Sequence, residues 1–455
     1  LFCFLIFLSG CIEISNVSDK RKNVILFIGD GMGPTTVTAA RIFDGQSRGN
    51  PGEENFLSFE KFPHVALVKT YNTNQQVADS AGTATAIHSG VKTNAGVIGV
   101  GPETTRGSCI DGKKFSVPTI AELSKQRDIN IGLVTTARIT HATPATLFAH
   151  SAERDWESDR SLSEKAKQEG CADIARQFME FEADGGFEVV LGGGSREFLG
   201  SDFGGVRLDD SENLVNRWLS EDTEHRFVEN SKQLSNIDPS KQILGLFSSS
   251  HMTYMAEREL DHSEPTLTEM TLKALEILQK RNQSFYLLVE GGRIDHGHHE
   301  GKPGYALLET QEFSRAIKAA LELVDLKDTL IMVTADHSHT MTFAGYPTRG
   351  NPILGYVVEN DSNGVPKDEP VLDAFGNPYT TLAYINGPAA IKSNQDGIFS
   401  PGINEIYPSL VGLPSETHGG EDVALYGVGF KSELVSGVID QNKIFDIIFS
   451  ALFEE

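Results

Sequence analysis

The chain has 455 residues, 39% of them hydrophobic, with 44 glycines and a formal net charge of −24. That length is enough for one large domain or two smaller ones. So acidic a composition argues against a nucleic-acid binder or a partner of anionic membrane, suits carboxylate-rich metal sites, and requires local positive charge wherever an anion is to bind.

Leu1 to Leu8 is apolar but too short to span a bilayer. It reads as the tail of a secretory signal. Leu8-Ser9-Gly10-Cys11 is similar to the lipobox of bacterial lipoproteins, in which Cys11 would carry the lipid; a plain signal peptide is the alternative. Either way the body is expected to be exported, periplasmic or anchored to an outer membrane. Of the four cysteines, Cys3 lies in the signal and Cys11 in the lipobox, which leaves Cys109 and Cys171 as a natural pair in an oxidising compartment.

Residues 12 to 22 are a polar leader. Asn23 to Ile28 is predicted as a buried strand, with Gly29-Asp30-Gly31-Met32-Gly33 at its end. That is where open α/β sheets place ligands, and Asp30 reads as a metal ligand or a turn cap. Residues 35 to 48 are expected to be helical and Phe62 to Thr70 a strand. Asp79-Ser80-Ala81-Gly82-Thr83-Ala84 reads as a capped helix start among very small residues, open to an anion or metal ions. A hydroxyl such as Ser80 needs a base or a metal to become a nucleophile. Residues 90 to 116 are read as irregular and Pro118 to Arg127 as a helix. Ile129 to Thr135 is a second buried strand, followed by His141 and Thr143 and by a helix expected to reach Arg154, a candidate anion clamp.

Ala172 to Phe181 is expected to be helical and Val189 to Leu191 a strand. Leu214 to Trp218 and Thr266 to Gln279 are expected to be helices, and Phe285 to Val289 a strand. Then comes the densest cluster of ligand-type residues, Glu290-Gly291-Gly292-Arg293-Ile294-Asp295-His296-Gly297-His298-His299. Asp295 and His299 are four apart, so on a helical turn they share a face and can grip one ion. A long helix over Tyr305 to Leu323 leads to the strand Leu330 to Thr334 and to Ala335-Asp336-His337-Ser338-His339. Residues 346 to 417 change character and read as an excursion from the main sheet. The fold resumes at Thr417-His418-Gly419-Gly420-Glu421-Asp422 with a strand over Val423 to Tyr426, and a last helix is expected near Ile439 to Phe453. The recurring pattern is an apolar strand followed by an acid, histidine or hydroxyl. It predicts an α/β fold whose central, largely parallel sheet is flanked by helices, with a multi-metal centre above one edge.

These motifs, taken in order, resemble those of the alkaline phosphatases: the stretches at Asp30, Ser80, His141 to Ala145, Val289 to His299, Thr334 to His339 and Glu416 to Asp422. The resemblance runs from residue 23 to about 430. It implies a catalytic domain over 23–455, preceded by the signal remnant and lipobox at 1–11, with 346–417 as an inserted, crown-like subdomain that helps form a homodimer. It implies hydrolysis of phosphate monoesters at alkaline pH through a phosphoserine at Ser80, with two zinc ions and one magnesium ion. One zinc would be held by Asp295, His299 and His418, the second by Asp30, Asp336 and His337, and the magnesium by Asp30, Thr143 and Glu290. Arg154 would grip the phosphoryl oxygens and His296 would reach phosphate through water. Zinc takes imidazole and carboxylate, whereas magnesium prefers hard oxygen.

Histidine at 141 and 296 is similar to the animal-type pattern; enterobacterial-type members carry an acid and a lysine there. His141 would stand beside the magnesium. The Cys109–Cys171 pair matches an animal-type disulfide position. The chain departs from the animal type at its calcium site: Ser248 stands where an acid is expected, although Glu264 matches another ligand. A sulfatase of the same superfamily would want Cys/Ser-x-Pro-x-Arg, and Ser80 is followed by Ala81-Gly82. A phosphodiesterase usually replaces Arg154, and a metal-stabilised protein without turnover gives no reason for Ser80 and Arg154.

Overall fold

The computed structural model describes residues 21–183, 185–259, 262–392 and 399–454. The apolar start, Cys3 and the lipobox with Cys11 lie outside the described residues. Ten strands form the central sheet: β1 (Asn23–Ile28), β2 (His64–Lys69), β3 (Asn130–Arg138), β4 (Val189–Gly193), β5 (His225–Val228), β6 (Gln242–Leu246), β7 (Phe285–Glu290), β8 (Thr329–Thr334), β9 (Val423–Gly429) and β10 (Gly437–Asp440). Their order across it is β10-β2-β9-β8-β1-β7-β3-β4-β6-β5. Neighbours are parallel except at β9, which runs antiparallel to both β2 and β8.

The middle of the sheet explains itself from sequence. Every residue of β1, β7 and β8 is buried, which is why they read as unbroken apolar runs rather than alternating ones. Helices flank the sheet, among them α1 (Pro34–Gln46), α2 (Ser80–Ser89), α3 (Leu267–Lys280), α4 (Arg293–His299), α5 (Pro303–Leu323) and α6 (Lys443–Phe453). Helix α3 lies on β3 and β4, α6 on β1 and α2, and α5 against α1, α3 and α4. The starts follow local rules. Thr266 and Glu269 close a capping box at α3, and Pro303 opens α5, where its missing N–H costs nothing.

Three expectations are corrected. The helix after His141 spans only Ala142–Ala145, so Arg154 sits on a loop. An extended bridge between Ile98 and Ser151 takes the chain out of helix there, and Arg154 N–H donates to Gly96 O at 2.9 Å. Residues 437–440 form β10, paired with β2, and α6 begins only at Lys443. A short helix, Cys109–Lys114, interrupts the stretch read as irregular. Strands β5 and β6 at the far edge were not predicted.

Cys109 and Cys171 are disulfide-bonded across a sequence separation of 62, with Cα atoms 5.9 Å apart. The bond ties the short helix to the loop before Ile174 and closes a long loop of the unfolded chain. Reduction is expected to lower stability by roughly 2–4 kcal/mol, read as a lower thermal midpoint in calorimetry with reductant; an unchanged midpoint would show the bond to be idle. Among the described residues no helix is long and apolar enough to cross a membrane.

Candidate active site and metal centre

The functional side chains collect at the C-terminal ends of the central strands. Asp30 follows β1, Glu290 ends β7, and Asp336 and His337 follow β8. These three strands are neighbours, so three acids from distant sequence meet above the middle of the sheet. The turn after β1 is tight. Gly31 has φ +66°, and a Cβ there would lie 2.4 Å from the His339 ring, so only glycine allows the approach.

Ser80 is the first residue of α2, 2% exposed, with Asp79 as the cap. Asp79 accepts from Gly82 N–H at 3.1 Å and Gly96 N–H at 2.9 Å, which fixes the turn that carries Ser80. The Ser80 hydroxyl donates toward Asp30 Oδ1 at 3.4 Å and lies 3.2 Å from His337 Nε2. His337 Nε2 is 3.5 Å from Asp30 and 3.4 Å from Asp336. Beside this group, His299 Nε2 is 3.3 Å from Asp295 Oδ1 and 3.1 Å from His418 Nε2, and His418 is 3.5 Å from Asp295. The helical turn of α4 therefore does place Asp295 and His299 on one face. Arg154 Nη1 donates to Asp79 Oδ2 at 3.1 Å, which aims the guanidinium at the mouth of α2.

The electrostatics are those of acids held without enough positive charge. Burial pushes the Asp30 carboxyl well above its ordinary range, and Asp336, Asp295 and Glu290 add to the rise. Burial raises Asp336 as well and takes Glu290 to about 7. Burial also holds His337 and His296 neutral, at about 3 each. Asp295 behaves oppositely: burial would raise it, but His299, His339 and His418 hold it well below the usual range.

Several residues of the site carried no role in the sequence reading. His339 sits between Asp295 Oδ1, at 2.7 Å, and Glu416 Oε2, at 2.6 Å. Burial opposes its charge, yet Glu416 and Asp295 push it up to about 10, so it orients Asp295 as an imidazolium. Its signal was its place two residues after His337, on the same side of an extended segment. His251 and Glu157 have no such signal, since each sits in a stretch with no motif around it, and Arg138, three residues before His141, gains its role only through them.

A profile of the family described as "Alkaline phosphatase" matches residues 21–453. The chain belongs to the alkaline phosphatase family. The alkaline phosphatase of Gadus morhua is 43% identical over 445 residues, covering 94% of this chain and 90% of the fish protein. The tissue-nonspecific alkaline phosphatase of Homo sapiens is 43% identical over 449 residues, covering 94% of this chain and 83% of the human one. Among solved structures, the alkaline phosphatase of the Antarctic bacterium TAB5 shares the fold with a TM-score of 0.65 at 23% identity, over 96% of this chain and 99% of that one. The Thermus thermophilus alkaline phosphatase does so with a TM-score of 0.69 at 23% identity, over 96% and 92%. Membership makes this chain an enzyme, a phosphomonoesterase.

An alkaline phosphatase site should accept metal cations, and the side chains present fit them. Asp30 Oδ2, Asp336 Oδ2, Thr143 Oγ1 and Glu290 Oε1 are all buried with no hydrogen-bond partner. Such orphans are rare in folded proteins and costly unless something else satisfies them. Two ligand groups, Asp295 with His299, His339 and His418, and Asp30 with Asp295 and His337, each gather within 4.8 Å. Mixed imidazole and carboxylate suit zinc; the all-oxygen set of Asp30, Thr143 and Glu290 suits magnesium.

Proposed function

We propose that the enzyme cleaves phosphate monoesters by two in-line displacements at phosphorus, with Ser80 as the nucleophile and a phosphoserine between them. What carries this reading is the Ser80 hydroxyl, 3.2 Å from His337 and 3.4 Å from Asp30, inside a ring of buried oxygens that lack partners. Asp295, His299 and His418 would hold one zinc, Asp30, Asp336 and His337 the other, and Asp30, Thr143 and Glu290 a magnesium. When bound, these ions lower the pKa of the attacking oxygen and neutralise the charge that develops on the leaving one.

The chain's own groups do the rest. Asp79 caps α2 and fixes the backbone that presents Ser80. Asp30 accepts from the Ser80 hydroxyl and so points its proton away from the phosphoryl group. Arg154, held by Asp79, offers a planar fork to two phosphoryl oxygens, which selects the tetrahedral dianion and holds it in line with Oγ. Within an acidic protein this guanidinium is the local positive charge that an anionic substrate needs. His296 reaches phosphate through water. The direct test is capture of the intermediate: phosphate added to the enzyme at acidic pH, then quenched, should leave a phosphorylated peptide containing Ser80. A label on any other residue would overturn the assignment.

His141 beside Thr143 offers the magnesium position a neutral ring in place of a carboxylate, which weakens retention of the ion. Added magnesium is therefore expected to raise activity after mild chelation; a flat titration would contradict it. The same reading makes the protein an exported homodimer over small phosphate monoesters, with 23–455 as its catalytic domain and 346–417 as the inserted subdomain. Tyr346, Phe375 and Leu410 stand 80–90% exposed in or at the edge of that insertion, which supports an interface there. The Cys109–Cys171 bond supports an oxidising compartment, periplasmic or at an outer membrane. Acylation of Cys11 would be read by mass spectrometry of the mature N-terminus.

A further inference from the structure

Three histidines from separate elements meet beside Arg154. His141 lies just after β3, His251 in the loop after β6, and His296 on α4, and one ring nitrogen of each lies within 4.8 Å of the others. Ring centroids are 5.2 Å apart for His141 and His251, 5.6 Å for His141 and His296, and 4.1 Å for His251 and His296. Proximity alone would suggest a further metal site. The arginines argue otherwise. Arg154 Nη2 lies 3.3 Å from His141 Nε2, Arg138 Nη1 2.5 Å from His251 Nε2, and Arg293 Nη1 3.0 Å from His296 Nδ1. A guanidinium only donates, so each of those ring nitrogens accepts. A neutral imidazole has one lone pair, so the other nitrogen of His141 and of His296 carries a proton and cannot ligate a cation. The layer is built to meet negative charge.

His251 holds a particular place in it. Arg138 flanks both of its nitrogens, with the backbone N–H 3.3 Å from Nδ1 and Nη1 2.5 Å from Nε2; the ring's one lone pair accepts at Nε2 from the guanidinium, and both nitrogens are turned to Arg138 rather than to an anion. Arg138 is in turn clamped by Glu157 at 2.7 and 2.5 Å, which anchors His251 to β3. The anchored ring packs on both His296 and His141 and restricts their rotation. His141 accepts from Arg154, and His296 faces phosphate in the reading above. We infer that His251 is a positioning residue of the phosphate site, acting through His296 and His141; this rests on the function proposed above.

The test uses the metal-loaded holoenzyme and the variants His251→Ala, His251→Phe and His251→Gln. In the alanine variant, KM for p-nitrophenyl phosphate and Ki for inorganic phosphate are expected to rise together by about tenfold, ~1.4 kcal/mol of lost binding, with kcat moving far less. The phenylalanine ring restores the packing and should bring Ki most of the way back, whereas a Phe variant as weak as Ala would overturn the packing argument. Should alanine fail to fold, glutamine, which lacks the ring but can still accept from Arg138, is expected to show the same rise. An unchanged Ki, a fall in kcat matching the rise in KM, or the loss of one tightly bound metal per chain would each overturn the inference. If wild type proved inactive on monoesters, the catalytic reading would fail. Phosphate affinity by calorimetry, wild type against variants, would still decide the role of His251.

Discussion

Ser80→Ala is expected to lower kcat/KM for p-nitrophenyl phosphate by roughly 10³- to 10⁶-fold, the range seen when an enzyme loses its nucleophile. The size follows from what surrounds the hydroxyl. Ser80 is the side chain that α2 presents to the acids behind β1 and β8, and it is buried, so bulk water does not easily take its place. The variant should fold, because alanine suits the first turn of a helix and the cap belongs to Asp79. Zinc and magnesium content, measured alongside, should stay close to wild type because Asp30, Asp336 and His337 remain. Turnover within a few-fold of wild type would sink the serine mechanism while leaving family membership untouched.

The second large effect is on stability without metals. In the stripped protein, buried Asp30, Asp336 and Glu290 face one another, and all three are raised above their ordinary values, burial being the first cause. A carboxyl raised in the folded state binds more protons there than in the unfolded chain, so folding loses free energy as pH climbs from the unfolded value to the folded one. For Glu290, taken to about 7, that window lies between its ordinary value and neutrality, and the loss is on the order of 3 kcal/mol. His337 and His296, held neutral at about 3, act the other way below their ordinary value, so the carboxylates' share is isolated by Glu290→Gln: in the stripped state this variant should gain in thermal midpoint over wild type at pH 8 and not at pH 5. Adding zinc and magnesium at pH 8 should reverse the loss, since cations binding only the native state stabilise it. A Glu290→Gln shift that is the same at the two pH values would contradict this account of the orphaned carboxylates.

How much of this was legible depends on where a residue's information lies. β1, β7 and β8 announced themselves because both faces are covered and the acids come straight after the apolar run. α4 could be read from the four-residue spacing of Asp295 and His299. Arg154 was harder: its loop is set by a pairing of Ile98 with Ser151, a contact that no local pattern encodes. The second half of β10 reads as the start of the last helix because its short apolar run precedes a true helix, and only pairing with β2 makes it extended. β5, at the edge, has both ends buried and its middle half-covered, so it shows neither a continuous nor an alternating pattern. His251 lies outside every motif and gains meaning only when the loop after β6 folds onto β3.

The antiparallel β9 has a temporal consequence. The chain leaves the sheet after β8, makes its long excursion, and returns through His418 to insert β9 between β8 and β2. Asp30 is thus among the first ligands synthesised and His418 among the last. A nascent chain has Asp30 and Ser80 long before it has His418, so the cluster is incomplete until the end of synthesis. The group of Asp295, His299 and His418 closes only when the C-terminal portion docks, which makes assembly of the cluster one of the last events in folding.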